Sequence, residues 1–223
     1  MTKTNLNVLV AYFFWIIGTM IGWSAGILNL ESNAETYMDI IFLLPVYFAN
    51  GLMIGLLVGA GQALVLRKFT DSISPWIWST ILGYGLAFPV GLIISVLIPS
   101  IVWILQGEYL LPFVEPSTAA IFLNMDDLFW GGFLIGFIQW RALKKIIPNP
   151  NRNKGILWVL ATWFVFGMSI FIRALTYGNF LDKFQMGIMG IVMGITTGLV
   201  LFVLLQNSPR RPITTQMAGE TTG

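Results

Sequence analysis

Gly51-Leu-Met-Ile-Gly55-Leu-Leu-Val-Gly59-Ala-Gly61-Gln62-Ala-Leu-Val-Leu-Arg67-Lys68 places sixteen uncharged residues before a pair of cations. No charge occurs between Asp39 and Arg67, a run long enough for a helix to cross the hydrocarbon of a bilayer, which takes roughly 20 residues. Residues three and four apart share a helix face, so Gly51, Gly55, Gly59 and Gln62 form one stripe. The pattern returns 77 residues later as Gly132-x3-Gly136-x2-Gln139-x4-Lys144-Lys145. A weaker copy follows, Gly190-x3-Gly194-x2-Thr197, with the basic pair displaced to Arg210 and Arg211 and the stripe extended by Gly187 and Gly198.

Glycine stripes let helix backbones approach closely, which is how spans associate once lipid has removed the hydrophobic drive between them. A Gln at the end of such a stripe can hydrogen-bond across the contact, for about 1 kcal/mol or less. The candidate packing residues are therefore Gly55, Gly59 and Gln62, then Gly132, Gly136 and Gln139, then Gly190, Gly194 and Thr197. Gln62, Gln139 and Thr197 either lock helix packing or line a polar pocket open to the cytoplasm. The glycine faces predict that the second, fourth and sixth helices cluster centrally, with the odd-numbered helices around them.

The rest of the chain fits a membrane setting. Of 223 residues 57% are hydrophobic and 10% charged, with mean hydropathy +0.81. Soluble domains carry about 25% charged residues. The expected fold is an all-α membrane protein, a six-helix transmembrane bundle of three tandem helical hairpins, with spans near 8–28, 41–66, 75–98, 120–143, 156–175 and 184–206. The first apolar run is too long for a cleaved signal peptide, and no A-x-A site follows it. The segment 99–115, with Trp103, Tyr109 and Phe113, is expected to lie along the interface, and the polar tail 207–223 to be a disordered cytoplasmic segment. Tyr12, Phe13, Phe14, Trp15 and Trp23 read as an aromatic belt at the membrane surface, and Pro45, Pro89 and Pro99 as kink points.

Charge sets the orientation. Lys3, Arg67, Lys68, Arg141, Lys144, Lys145, Arg152, Lys154, Arg210 and Arg211 fall on one side, leaving Arg173 and Lys183 on the other. Lys and Arg concentrate in cytoplasmic loops, so both termini are expected in the cytoplasm. Topology accounts for the basic balance, and no nucleic-acid partner is expected.

The motif G-x3-G-x2-Q-x4-R/K on alternate spans has Trp opening the following helix (Trp76 and Trp78; Trp158 and Trp163). In this it resembles a group of uncharacterised bacterial multi-span membrane proteins. The resemblance covers about Gly51 to Gln206 and implies a fold of repeated hairpins in a bacterial inner or comparable membrane, with no activity attached. Thr197 in place of Gln, with no cation five positions on, departs from the pattern.

The costly residues are Asp126 and Asp127, which precede Gln139 by 13 and 12 positions and so stand about 18 Å from it along a helix. A carboxylate inside a bilayer costs up to ~2.5–3.5 kcal/mol and is a functional candidate by default. Asn50, Asp126, Asp127 and Arg173 form a candidate polar or ion site, or else the acids belong to an outer-leaflet ion pair, or to a loop if the fourth helix starts at Leu128. The chain contains no Cys and no His, which removes thiol chemistry, the usual general base and the commonest metal ligand. No P-loop, G-x-S-x-G or metal-ligand spacing occurs. The expectation is a non-enzymatic scaffold or accessory subunit without metal or cofactor, in contact with the lipid bilayer and other membrane proteins. The alternative is a small-solute or ion transporter that uses the interface between even-numbered helices.

Overall fold

The computed structural model describes residues 3–25, 37–67, 69–70, 72–106, 116–146, 152–176 and 184–206. Side chains are described for 10–25, 44–67, 69–70, 72–94, 97, 129–146, 153–169, 171–172, 175–176 and 184–205. The chain is all-helical there, with six helices: α1 (Lys3–Ala25), α2 (Tyr37–Leu66), α3 (Ser74–Gln106), α4 (Pro116–Ile146), α5 (Arg152–Thr176) and α6 (Gln185–Gln206). Three contain stretches long and apolar enough to cross a membrane: Leu44–Leu66, Ser74–Ile94 and Gln185–Leu205.

Two boundaries differ from expectation. α3 continues through Pro99 to Gln106, so the first part of the expected interfacial segment is helix. A helix satisfies its backbone groups internally by extending, and neighbouring groups make internal prolines tolerable. α4 begins at Pro116, a residue suited to a first helical turn, so Asp126 and Asp127 stand on helical backbone and not in a loop. The expected disordered tail and the remainder of the expected interfacial segment, 107–115, lie outside the described residues.

Each helix packs on its neighbours in sequence, and α6 packs back on α1. The six form a closed ring in chain order. The even-numbered helices therefore do not cluster centrally, contrary to the reading of their glycine faces. Each glycine face meets the next odd-numbered helix instead. A Cβ built at Gly55 would lie 2.7 Å from Ile81 Cα on α3, one at Gly136 3.0 Å from Val159 Cα on α5, and one at Gly194 2.8 Å from Ile16 Cα on α1. At Gly55 and Gly194 backbone meets backbone too closely for a Cβ, and at Gly136 a Cβ would require the facing backbone to give way by a few tenths of an ångström.

Side chains from the odd-numbered helices fill the centre. Trp15 and Trp76 have ring centroids 5.8 Å apart, and Trp76 and Trp158 5.7 Å. A second layer joins Trp23 to Tyr84 at 5.9 Å, Trp23 to Phe166 at 5.5 Å and Tyr84 to Phe166 at 6.2 Å. Helices α1, α3 and α5 are not neighbours in the ring, so rings that touch between them must meet on its axis. All six side chains are buried. Trp15 and Trp23 are thus axial, not members of a surface belt; Phe13 and Phe14, beside them in sequence, are the exposed ones. Every helix turns large apolar side chains outward, among them Phe13, Leu64, Trp78, Phe133, Phe164 and Leu199.

Candidate functional site: a polar belt between two aromatic layers

The odd-numbered helices carry a pattern of their own. Trp15-x3-Thr19-x3-Trp23, Trp76-x3-Thr80-x3-Tyr84 and Trp158-x3-Thr162-x3-Phe166 repeat a four-residue step twice on three helices. That step stacks the three residues on one face, so the three threonines form a layer between the two aromatic layers. Sequence reading missed them. The signal was present within each helix, but the distances from Trp15 to Trp76 and from Trp76 to Trp158 are 61 and 82 residues, so no single offset superposes the copies.

The belt joins these threonines to the ends of the even-helix stripes. Gln62 Nε2 on α2 donates to Thr19 Oγ1 on α1 (2.9 Å). Gln139 Nε2 on α4 donates to Thr80 Oγ1 on α3 (3.3 Å). Thr19 Oγ1 donates its own proton to Trp15 O (2.8 Å), so it can only accept from the amide, which fixes the orientation of Gln62. In the third copy Thr197 Oγ1 donates to Met193 O on its own helix (2.6 Å) and accepts from Trp15 Nε1 on α1 (3.1 Å). Gln62, Gln139 and Thr197 are each 2% exposed, so none opens to solvent. Gln62, Gln139 and Thr197 each bond to a neighbouring helix from a buried position.

Apolar clusters lie on either side of the belt. One holds Trp15, Leu66, Trp76, Leu143, Trp158 and Leu201, at the end where α2 and α4 finish in Arg67, Lys144 and Lys145. The other holds Trp23, Val58, Tyr84, Ile135, Phe166 and Met193. Within it, Tyr84 O–H donates to Met193 Sδ (3.0 Å), and Trp23 Nε1 reaches the same sulfur (3.2 Å). The remaining glycines of the packing motif agree with this arrangement: Gly59 faces Thr80, Gly132 faces Phe166, and Gly190 faces Met20 and Trp23.

The candidate ion site is only partly described. Asn50 is buried on α2, and its Nδ2 has no hydrogen-bond partner among the described protein atoms. Asp126 and Asp127 lie on α4 and Arg173 on α5, but their side chains fall outside the described ones. A shallow apolar cleft of about 30 Å³ is lined by Tyr12, Trp15, Phe69, Leu201 and Phe202 among others, and it lies outside the belt. Nothing among protein-family models, curated proteins or solved structures matches the chain.

Proposed function

We propose that the chain is an integral membrane protein whose six helices all span a bilayer as three tandem hairpins, and that it serves as a non-enzymatic scaffold or accessory subunit. The filled axis carries this reading. Two layers of buried aromatic side chains occupy the line a solute would follow, and the glycine faces are closed to backbone contact. Interiors packed this closely hold one shape, and a rigid body with apolar side chains on all its outer faces suits lateral contacts. Soluble monomers rarely expose apolar area on this scale, which supports the lipid bilayer and neighbouring membrane proteins as its partners. Arg67, Arg141, Lys144 and Lys145 are exposed near one end of the bundle, supporting a cytoplasmic side there and cytoplasmic termini, as in a bacterial inner membrane.

Transport of a small solute or ion through Asp126 and Asp127 is the competing reading, and it needs a wet route past the belt. Purification of the tagged full chain in mild detergent tests the two together with reconstitution into liposomes. A stoichiometric membrane-protein partner with no flux above empty liposomes is the expected result. Ion or solute flux that is abolished in Asp127→Asn would overturn the scaffold reading.

A further inference from the structure

The belt leaves complementary atoms unmatched at two corresponding junctions. Trp76 Nε1 on α3 and Gln62 Oε1 on α2 are both buried with no hydrogen-bond partner among the described residues. The same holds for Trp158 Nε1 on α5 and Gln139 Oε1 on α4. All four belong to side chains at most 2% exposed. The third junction, between α6 and α1, shows what the arrangement does when both groups reach: Trp15 Nε1 donates directly to Thr197 Oγ1 at 3.1 Å. One donor and one acceptor thus remain at each junction where Gln stands in place of Thr.

The geometry of the amide explains why they do not meet. Gln62 Nε2 is held on Thr19 and Gln139 Nε2 on Thr80, and a carboxamide is rigid, so each Oε1 points where the other end dictates. Flipping Gln62 would bring its oxygen against Thr19 Oγ1, whose proton is already given to Trp15 O. A buried polar group left without a partner costs the full desolvation of that group, and buried water is retained where it satisfies such groups.

We propose that these two junctions are specific water-binding sites. One water at each accepts from the indole N–H of Trp76 or Trp158 and donates to the carbonyl of Gln62 or Gln139. With them, the hydrogen-bonded belt runs from α1 through α2, α3 and α4 to α5, and the direct Trp15–Thr197 bond joins α6 to α1. The sites are sealed by the aromatic layers, so these waters exchange slowly with bulk and carry no flow.

The test uses the full chain in lipid nanodiscs with ¹⁵N-labelled tryptophan, its indole resonances assigned by single Trp→Phe substitutions. Water-to-indole cross-relaxation peaks are expected at Trp76 and Trp158 and not at Trp15. Their absence at Trp76 and Trp158, or equal intensity at Trp15, would overturn the proposal. In Gln62→Met the Trp76 peak is expected to be lost while that of Trp158 persists, which also reports that the bundle is folded. Retention of the Trp76 peak in that variant would count against the site. If the variant does not fold, the comparison of the three indoles in the unmodified chain decides.

Discussion

Replacing Gly55 by Ala adds one methyl group where α2 crosses α3. The new Cβ would lie 2.7 Å from both Ile81 Cα and Thr80 O and 3.1 Å from Ile81 O. Ordinary carbon contacts need about 3.5–4.0 Å, so the two helices must part by roughly 1 Å. No rotamer relieves the clash, because all three atoms are backbone. Overpacking of this kind costs about 1–3 kcal/mol, while Ala in a helix interior regains about 0.8–1 kcal/mol over Gly. Gly167→Ala isolates the second effect. Its Cβ would meet only the Phe129 ring, at 3.6 Å, an ordinary contact. The two variants share the propensity gain, so their stabilities should differ by the clash alone, about 1–3 kcal/mol. Reversible unfolding in mixed detergent micelles, followed by tryptophan fluorescence, measures both. Gly55→Ala should unfold earlier than the unmodified chain, and Gly167→Ala at the same point or later. Gly55→Ala as stable as Gly167→Ala would refute the backbone contact between α2 and α3.

The polar belt and aromatic layers give three further expectations, each measured by the same unfolding assay. Thr19→Val should cost more than Gln62→Met, about 1–3 kcal/mol against 1 or less, because the first strands a buried amide donor and the second removes the whole amide. Trp76→Ala should cost about 3–5 kcal/mol as a fully buried aromatic, whereas Trp78→Ala, 61% exposed two residues away, should cost under 1 in detergent. Thr197→Gln restores the residue found in the other two copies. If α5 and α6 form the same hairpin, it should stabilise by up to about 1 kcal/mol through a bond to Thr162, and a loss above 1 kcal/mol would show that the third copy has repacked around threonine.

Much of the helical layout is legible in the sequence because charges interrupt apolar runs at regular intervals. Asp39 falls in the first turn of α2 and Arg67 directly after its last residue, and Lys154 and Arg173 fall near the ends of α5. The Gly-Gly-Gln motif is also legible, since two copies share one offset. Its partner is not. Gly55 reveals that some backbone comes close, and nothing local says whether that backbone is another glycine helix or Ile81 of α3. Radial direction is hidden for the same reason. Phe14 and Trp15 are adjacent and equally apolar, yet one faces outward and the other the axis, and the difference emerges from the four-residue step to Thr19 and Trp23. Loops of unequal length disguise that step when the helices are compared at a fixed offset. The return of α6 to α1 joins residues more than 160 apart in sequence, as between Gly187 and Ser24, which no local pattern encodes.

That closure is the most exposed part of the account and the simplest to probe, because the chain contains no cysteine. A Cβ built at Gly187 on α6 lies 3.3 Å from Ser24 Oγ on α1, close enough for a disulfide when both positions are cysteine. In Ser24→Cys/Gly187→Cys, mild oxidation in the membrane should give a monomeric species of altered gel mobility that reverts on reduction. Ser24→Cys/Gly167→Cys, which pairs α1 with the non-adjacent α5, should stay reduced. A first pair that remains reduced, or two pairs that bridge equally, would contradict a ring of six helices closed by α6 on α1.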